Sequence, residues 1–143
     1  MTDEEADNIS KIVGLAALKY GDLSNQASKD YVFDVDRFAS FEGNTGPYIL
    51  YTIVRIKSIL AKYKETGVSV GDLTILPSKE QSEKALSLAL IKFSDVIDGA
   101  YKDNAPHKIC QYIYRFLTHL TDFIITQRFL QKRIGNSRKA ILH

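Results

Sequence analysis

The sequence is poor in the residues that mark several protein classes. It contains no tryptophan, one methionine and a single cysteine, Cys110, so it cannot form an internal disulfide and suits a reducing compartment. No apolar run approaches the ~18 residues that a membrane span needs. The acidic N-terminus MTDEEADN is unlike a secretion signal. These absences predict a cytoplasmic protein that does not contact a membrane.

Catalytic and metal-binding patterns are also missing. No glycine-rich phosphate loop or serine–histidine constellation occurs in the sequence. His107 and Cys110 are three residues apart, but two ligands on one helical turn are not a metal site, and His119 follows two to three turns later. Asp34 and Asp36 are explained more simply as helix caps than as an acid–base pair. We therefore expect no catalytic residue and no metal in this chain.

What is present is an ordinary globular composition with an uneven charge distribution. The chain has 143 residues, 45% of them apolar, and a net charge of +2, which fits one compact domain. Residues 1–8 contain four acids and no base, whereas residues 123–143 contain only basic charges. The basic end could attract phosphate over about a Debye length, ~10 Å, or could simply be a solvated helix end.

Helix signals account for most of the chain. Thr2 with Glu5 fits a capping box, and Ser78 with Gln81 fits a second one. Pro47 suits the first turn of a helix that continues to about Glu65. Apolar spacing then predicts a final long helix that starts near residue 106 and ends at Gly135-Asn136. IGNSRKAILH reads as the opening of another helix, so we expect the chain to be truncated there.

Only one segment departs from the helical pattern. In residues 31–35, YVFDV, the apolar Tyr31, Phe33 and Val35 recur at every second position, which is typical of an extended segment. No internal repeat or long linker interrupts the remaining sequence. The predicted fold class is therefore all-α, a helical bundle with a short extended segment near residues 31–35.

The helix that begins near Pro47 carries two different faces. At 100° per residue, one arc of about 80° is interpreted as the core face, and a second arc of the same width, about 140° away, carries polar aromatics and cations. The first arc contains Ile49, Ile53, Ile56, Leu60 and Tyr63, and the second contains Tyr48, Tyr51, Arg55, Ser58 and Lys62.

The second arc has the chemistry of an RNA-contacting surface. Tyrosine rings stack on unpaired bases, worth about 1–3 kcal/mol per base, while arginine and lysine hold phosphates. The turn FEGNTGP precedes the helix and would expose backbone N–H groups to a base or a phosphate. The alternative is that the arc packs against a neighbouring helix, with Arg55 in a salt bridge.

Four segments together resemble arginyl-tRNA synthetases, in which a catalytic domain is followed by a helical anticodon-binding domain of the DALR type. They are VGLAALKYGDL at 13–23, DYVFDVDRFASFEGNTGPYILYTIVRIKSI at 30–59, LALIKFSDVI at 88–97 and APHKICQYIYRFLTHLTDFI at 105–124. The resemblance implies that residues 1–41 are the end of the catalytic domain, or a stem-contact connection. Residues 42–143 would be the anticodon-binding domain, truncated at the C-terminus.

The resemblance also implies an activity for the longer protein. A class I synthetase uses ATP with Mg to ligate arginine to tRNA-Arg, through a Rossmann domain with HIGH-type and KMSK-type motifs. Neither motif occurs here, so we expect this chain to be part of an arginine–tRNA ligase that is inactive alone and holds no cofactor itself.

Family positions can be transferred residue by residue. The family's anticodon-contacting tyrosines and arginine match Tyr48, Tyr51 and Arg55, and its preceding loop matches Ser40–Thr45. Where the family often has Phe-Tyr, this chain has Ile124-Ile125, and Phe129 would replace the missing ring. The full set of expected tRNA-binding residues is Asn44, Tyr48, Tyr51, Arg55, Lys62, Phe129 and Arg133.

The expected partner is tRNA-Arg, bound by a monomer that does not bind DNA. A second hypothesis is a helical protein-interaction module whose tyrosine arc docks a partner helix without binding RNA. Salt separates the two, because RNA binding weakens steeply through counterion release and an apolar interface does not.

Overall fold

The structure, a computed structural model, describes residues 1–65, 67 and 77–141, with side chains as far as Phe129. Across these ranges the chain forms helices and no strand, which confirms the all-α prediction. The helices are α1 (Asp3–Leu23), α2 (Val35–Ala39), α3 (Gly46–Glu65), α4 (Gln81–Ile91), α5 (Phe93–Lys102) and α6 (Pro106–Ile141).

The segment before α2 is extended chain rather than a strand. Residues 31–34 have no regular secondary structure, the backbone at Asp34 is extended, and Val35 already begins α2. The alternation in the sequence has another cause. The rings of Tyr31 and Phe33 both lie against Phe38, at centroid distances of 6.1 and 5.1 Å. Because Tyr31 and Phe33 are two residues apart in an extended segment, both rings lie on the same side and pack against the buried Phe38 of α2.

The first predicted helix cap is confirmed and the second is wrong. Glu5 N donates to Thr2 Oγ1 at 3.2 Å, and Thr2 N donates to Glu5 Oε2 at 2.7 Å. At α4 the acceptor is Glu83, whose Oε2 receives the backbone N–H of Lys79 at 2.9 Å and of Glu80 at 3.4 Å. A carboxylate in the first turn binds these amides more strongly than a neutral hydroxyl could.

The last helix is longer than the sequence predicted. α6 continues through Gly135-Asn136 to Ile141, so the predicted new turn there is wrong. One glycine inside a helix costs only about 1 kcal/mol relative to alanine, which the helix tolerates. Most of the connection between α3 and α4, residues 66 and 68–76, lies outside the described residues.

The helices form two groups joined by α6. α1, α2 and α3 contact one another, α4 and α5 contact each other, and α6 packs against α1 and α3 as well as against α4 and α5. The buried apolar side chains are mostly small, which lets the helices approach closely. They are Ala17, Phe38, Ala100, Ala105, Cys110 and Leu117, and Pro47 is fully buried.

The closest approach is between α1 and α3. A β-carbon at Gly46 would lie 2.2 Å from the carbonyl oxygen of Ala16, so only glycine fits at the start of α3. This contact fixes α3 against α1 where the candidate surface begins. Within the described ranges, no helix has the length and apolar character to cross a membrane.

Candidate nucleic-acid interface

A hydrogen-bonded junction holds the first turn of α3 in place. Tyr20 of α1 puts its hydroxyl 2.8 Å from the carbonyl oxygen of Cys110 in α6 and 2.6 Å from Asn44 Oδ1. Burial, with smaller contributions from Cys110 and Tyr114, raises the pKa of Tyr20, so the hydroxyl keeps its proton and donates it. The Tyr20 hydroxyl has one proton and can donate to only one of these two oxygens. If the Asn44 amide is rotated by about 180°, its NH₂ group donates to the Tyr20 oxygen while the hydroxyl donates to Cys110.

The loop that precedes α3 is shaped by its own side chains. The Thr45 hydroxyl donates to the carbonyl oxygen of Ser40 at 2.6 Å and accepts from Tyr48 N at 3.3 Å. Gly43 has a φ of +80°, which favours glycine. The predicted loop residue Asn44 is exposed beside this turn and is positioned by the Tyr20 contact.

The faces of α3 are rotated from their predicted positions. Thr52 is only 4% exposed, whereas Leu60 of the predicted core face is 54% exposed. The Thr52 hydroxyl donates to the carbonyl oxygen of Tyr48 at 2.9 Å, which satisfies it in a buried position. The packed face of α3 therefore lies between the two arcs derived from the sequence, and the expectation that Leu60 is a core residue is wrong.

The two tyrosines of the arc have different environments. Tyr48 is half-buried, and its ring meets the edge of Tyr114 in α6 at a centroid distance of 6.2 Å. Tyr51 is 50% exposed, and the guanidinium carbon of Arg55 lies 5.8 Å from its ring centroid, within range of a cation–π contact. Tyr48 therefore combines packing with surface exposure, while Tyr51 offers a free ring face beside a cation.

A cleft lies between α3 and α6. Its volume is about 200 Å³, and the described residues that line it include three cations and no acid. The lining residues are Arg55, Ser58, Ile59, Lys62 and Arg128. The alternative role for Arg55 required a salt bridge, and none of the ion pairs among the described side chains involves it.

The remaining predicted positions lie along α6. Phe129 is 69% exposed and directly follows Arg128, which lines the cleft. Arg133 lies on the same helix, but its side chain is outside the described residues. Arg55 and Lys62 share one cleft, and Tyr51 adjoins it through Arg55. Sequence reasoning missed Arg128, for which the acid-free basic end was the available signal.

The other candidates do not form sites. Within residues 1–65, 67 and 77–129, no group of three metal-ligating side chains comes together. Cys110 is buried, and burial raises the pKa of its thiol, which disfavours the reactive thiolate.

Comparison with known proteins places this geometry in a family. The family model for the DALR anticodon binding domain matches residues 49–142, and the chain belongs to that family. The relatives that it matches are arginine–tRNA ligases. It is 51% identical over 142 residues to the enzyme of Agathobacter rectalis, and 57% identical over 110 residues to that of Alkaliphilus oremlandii. These matches confirm the resemblance that the sequence motifs predicted.

Solved structures agree with the sequence matches. The chain resembles the arginyl-tRNA synthetase of Plasmodium falciparum with a TM-score of 0.75 and 31% identity over 85% of its length. It resembles the Thermus thermophilus enzyme with a TM-score of 0.68 and 28% identity over 83%. It covers 22% and 19% of those chains. It spans 24% and 19% of the two ligases from Agathobacter and Alkaliphilus. No finding favours the alternative of a protein-interaction module.

Proposed function

We propose that this chain binds the anticodon loop of tRNA-Arg, as the anticodon-binding part of an arginine–tRNA ligase. The exposed surface formed by Tyr51, Arg55 and Lys62 of α3, with Phe129 of α6, is the proposed RNA-binding surface. Tyr48 contributes the part of its ring that Tyr114 leaves free, and Asn44 lies at the N-terminal end of the surface. Arg133 remains a proposed contact on the basis of its position in the sequence.

The observation that carries this proposal is the pairing of Tyr51 with Arg55. A half-exposed ring with a guanidinium 5.8 Å from its centroid can stack on an unpaired base while the cation meets the adjoining phosphate. The two cations that follow on the cleft wall extend positive charge along the same surface. Loop bases are unpaired and can be splayed out, so an anticodon loop suits this surface better than a duplex does.

The test is a titration of the chain with a tRNA-Arg anticodon stem-loop at low and moderate salt, with Tyr51→Ala beside the wild type. Loss of one stacked base should weaken binding roughly fivefold to 150-fold, corresponding to about 1–3 kcal/mol. Tyr101→Ala is the matched control, because Tyr101 is 84% exposed on α5, away from α3. It should leave binding unchanged.

Two results would contradict the proposal. One is the absence of saturable binding at low salt by folded wild-type protein. The other is an equal loss in the Tyr51 and Tyr101 variants, which would mean that the ring on α3 has no special role. A preference for the arginine anticodon over a stem-loop with a different anticodon would support the assignment to tRNA-Arg.

The activity of the longer ligase is part of the same proposal. The residues of this chain do not fit ATP with Mg, because neither family motif is present and the described side chains bring no metal-ligating group together. In this proposal ATP and arginine are bound by other parts of the ligase, and no step is assigned to this chain.

The division of the chain and its molecular state also remain proposals. Residues 1–41 would end the catalytic domain or connect it to the tRNA stem, although α1 and α2 pack directly on α3. Residues 42–143 would form the anticodon-binding domain. We propose a cytoplasmic monomer that binds neither DNA nor membrane. Sedimentation of the chain alone tests whether it is a monomer. A DNA stem-loop of the same sequence, added as competitor to the RNA titration, tests whether the chain binds DNA.

A further inference from the structure

We infer that the cleft between α3 and α6 holds a backbone phosphate of the bound RNA, and that Arg128 supplies its third cation. This inference rests on the proposed function, because it assigns a chemical role to one part of the same surface. Two of the cations were expected from the sequence, Arg55 from its helical spacing and the resemblance to the family and Lys62 from its helical spacing. Arg128 is added by the structure, which brings α6 to the far wall of the cleft.

Uncompensated positive charge is the first argument. Arg55 and Lys62 stand one above the other on α3 and Arg128 faces them from α6, around a space of about 200 Å³. None of the described side chains that line this space is acidic. The ion pairs among the described side chains involve other residues. Three like charges around one cleft raise the free energy of the empty protein, and a bound anion relieves that repulsion.

The composition of the lining favours a phosphate over a base. Besides the cations, the described lining residues are Ser58 and Ile59, so this part of the cleft offers hydrogen-bond donors and presents no aromatic ring for a base to stack on. Arginine presents several N–H donors in a planar fork that matches phosphate oxygens. The rings that could hold bases, Tyr51 and Phe129, lie outside this lining. Bases and phosphates would therefore occupy neighbouring but different places.

Arg55 connects the two places. Its guanidinium contacts the Tyr51 ring and also lines the cleft. A nucleotide whose base stacks on Tyr51 would thus have its sugar–phosphate chain directed along the cleft, towards Lys62 and Arg128. The cleft fixes the path of the backbone, while the tyrosine contacts the base. Phosphate contacts position nucleic acid and base contacts specify it.

The first experiment measures how salt changes the affinity for the anticodon stem-loop. A plot of log K against log salt has a negative slope, and loss of one phosphate contact makes this slope shallower by about 0.7–0.9. The same loss lowers the affinity at low salt roughly tenfold. We expect this for Arg128→Gln, while Arg128→Lys should keep the slope. Arg115→Gln is the matched control, since Arg115 lies on the same helix but lines a different cavity, between α4, α5 and α6.

The second experiment identifies the phosphate. Stem-loops that carry a neutral methylphosphonate at one linkage at a time are titrated against wild type and Arg128→Gln. The linkage in the cleft should weaken wild-type binding roughly tenfold and have little further effect on the variant, because both changes remove the same interaction. Far-ultraviolet circular dichroism establishes that each variant is folded.

The outcomes separate this inference from the proposed function. If the wild type binds and Arg128→Gln keeps its slope and affinity, the phosphate cleft is wrong and the anticodon proposal stands. If Arg128→Gln and Arg115→Gln lower the slope equally, the effect is general charge and the cleft is again wrong. If the wild type does not bind the stem-loop at any salt concentration, the proposed function fails and the inference falls with it.

Discussion

The two ends of α3 differ in how they meet α6. At the N-terminal end, Gly46 lies against α1, Tyr20 joins α1 to α6, and Tyr48 meets the ring of Tyr114. Towards the C-terminal end Arg55, Lys62 and Arg128 line a cleft between the two helices. The same pair of helices is closed by packing at one end and open to an anion at the other.

The two ends of α3 are therefore expected to contribute to different properties, the N-terminal end to the stability of the fold and the C-terminal end to RNA binding. The closed end buries small residues and satisfies its polar groups, so it fixes the angle between α3 and α6. The open end leaves three cations unpaired among the described side chains, which costs stability and suits a polyanionic ligand. Substitutions at the closed end should therefore lower the free energy of unfolding, and substitutions at the open end should mainly change RNA affinity.

The largest expected effect is at Gly46. In Gly46→Ala the new β-carbon would lie 2.2 Å from the carbonyl oxygen of Ala16, so α1 and α3 must move apart. We expect a loss of at least about 3 kcal/mol in the free energy of unfolding, measured by urea titration. Gly14→Ala is the control, because a β-carbon there has no heavy atom within 4 Å. In the interior of α1 it should stabilise by up to about 1 kcal/mol. Equal effects at both glycines would mean that the close approach is not required.

Tyr48 and Tyr51 test the comparison within one helix. Tyr48→Ala removes a half-buried ring and its contact with Tyr114, so we expect a loss of about 2 kcal/mol in stability together with weaker RNA binding. Tyr51→Ala should weaken RNA binding with less than about 0.5 kcal/mol change in stability, as usual for a surface position. Thermal unfolding and stem-loop titration of the same samples provide both measurements. Identical stability losses would show that α3 is packed equally along its length.

A smaller effect is expected from removing one hydroxyl. Tyr20→Phe keeps the ring and deletes the contacts to Cys110 and Asn44, which should lower stability by about 1–2 kcal/mol. The loop at Asn44 should also become more mobile, visible as faster amide hydrogen exchange at residues 43–45. Tyr101→Phe on α5 is the control and should change neither quantity. Unchanged exchange in the loop would show that Thr45 and Ser40 hold it without Tyr20.

The sequence predicted the parts of the fold that depend on neighbouring residues. The capping box at Thr2 and the helix that begins at Gly46–Pro47 follow from interactions within three or four residues. The start of α4 was predicted wrongly at Ser78, which lies three residues before Gln81. In the structure the N-cap is Glu80, three residues before Glu83. The charge of Glu83 decides in favour of the later start.

The candidate site was predicted less completely because it depends on contacts between helices. Periodicity placed Tyr48, Tyr51 and Arg55 on one arc, but Tyr114 of α6 then determines that Tyr48 is half-buried. The same limit applies to Leu60, which has helical spacing with the core residues but is 54% exposed. The basic end of the sequence includes Arg128, but only the packing of α6 beside α3 brings Arg128 into one cleft with Lys62.

The smallest expected effect lies on the side of α6 away from the cleft, and it depends on pH. Glu83 accepts hydrogen bonds from Lys79 N, Glu80 N and Gln127 Nε2, and these bonds, the backbone ones first, lower the pKa of Glu83. A carboxyl group whose pKa is lower in the folded state stabilises the fold above its unfolded pKa. That contribution disappears as the pH falls through the folded value.

Glu83→Gln should therefore be less stable than the wild type at pH 7, and this difference should shrink as the pH is lowered below about 4, near the ordinary range of a glutamate.

Gln127→Ala separates the two kinds of hydrogen bond, because it removes the bond that links α6 to Glu83 of α4 and leaves the backbone bonds to Glu83. It should lower stability while keeping most of the pH dependence. Urea titrations of the three proteins at pH 7 and pH 3 measure both effects. A Glu83→Gln deficit of the same size at both pH values would mean that the ionised carboxylate does not cap α4. RNA binding near pH 7 should be unchanged in both variants, because neither Glu83 nor Gln127 is among the described residues that line the cleft.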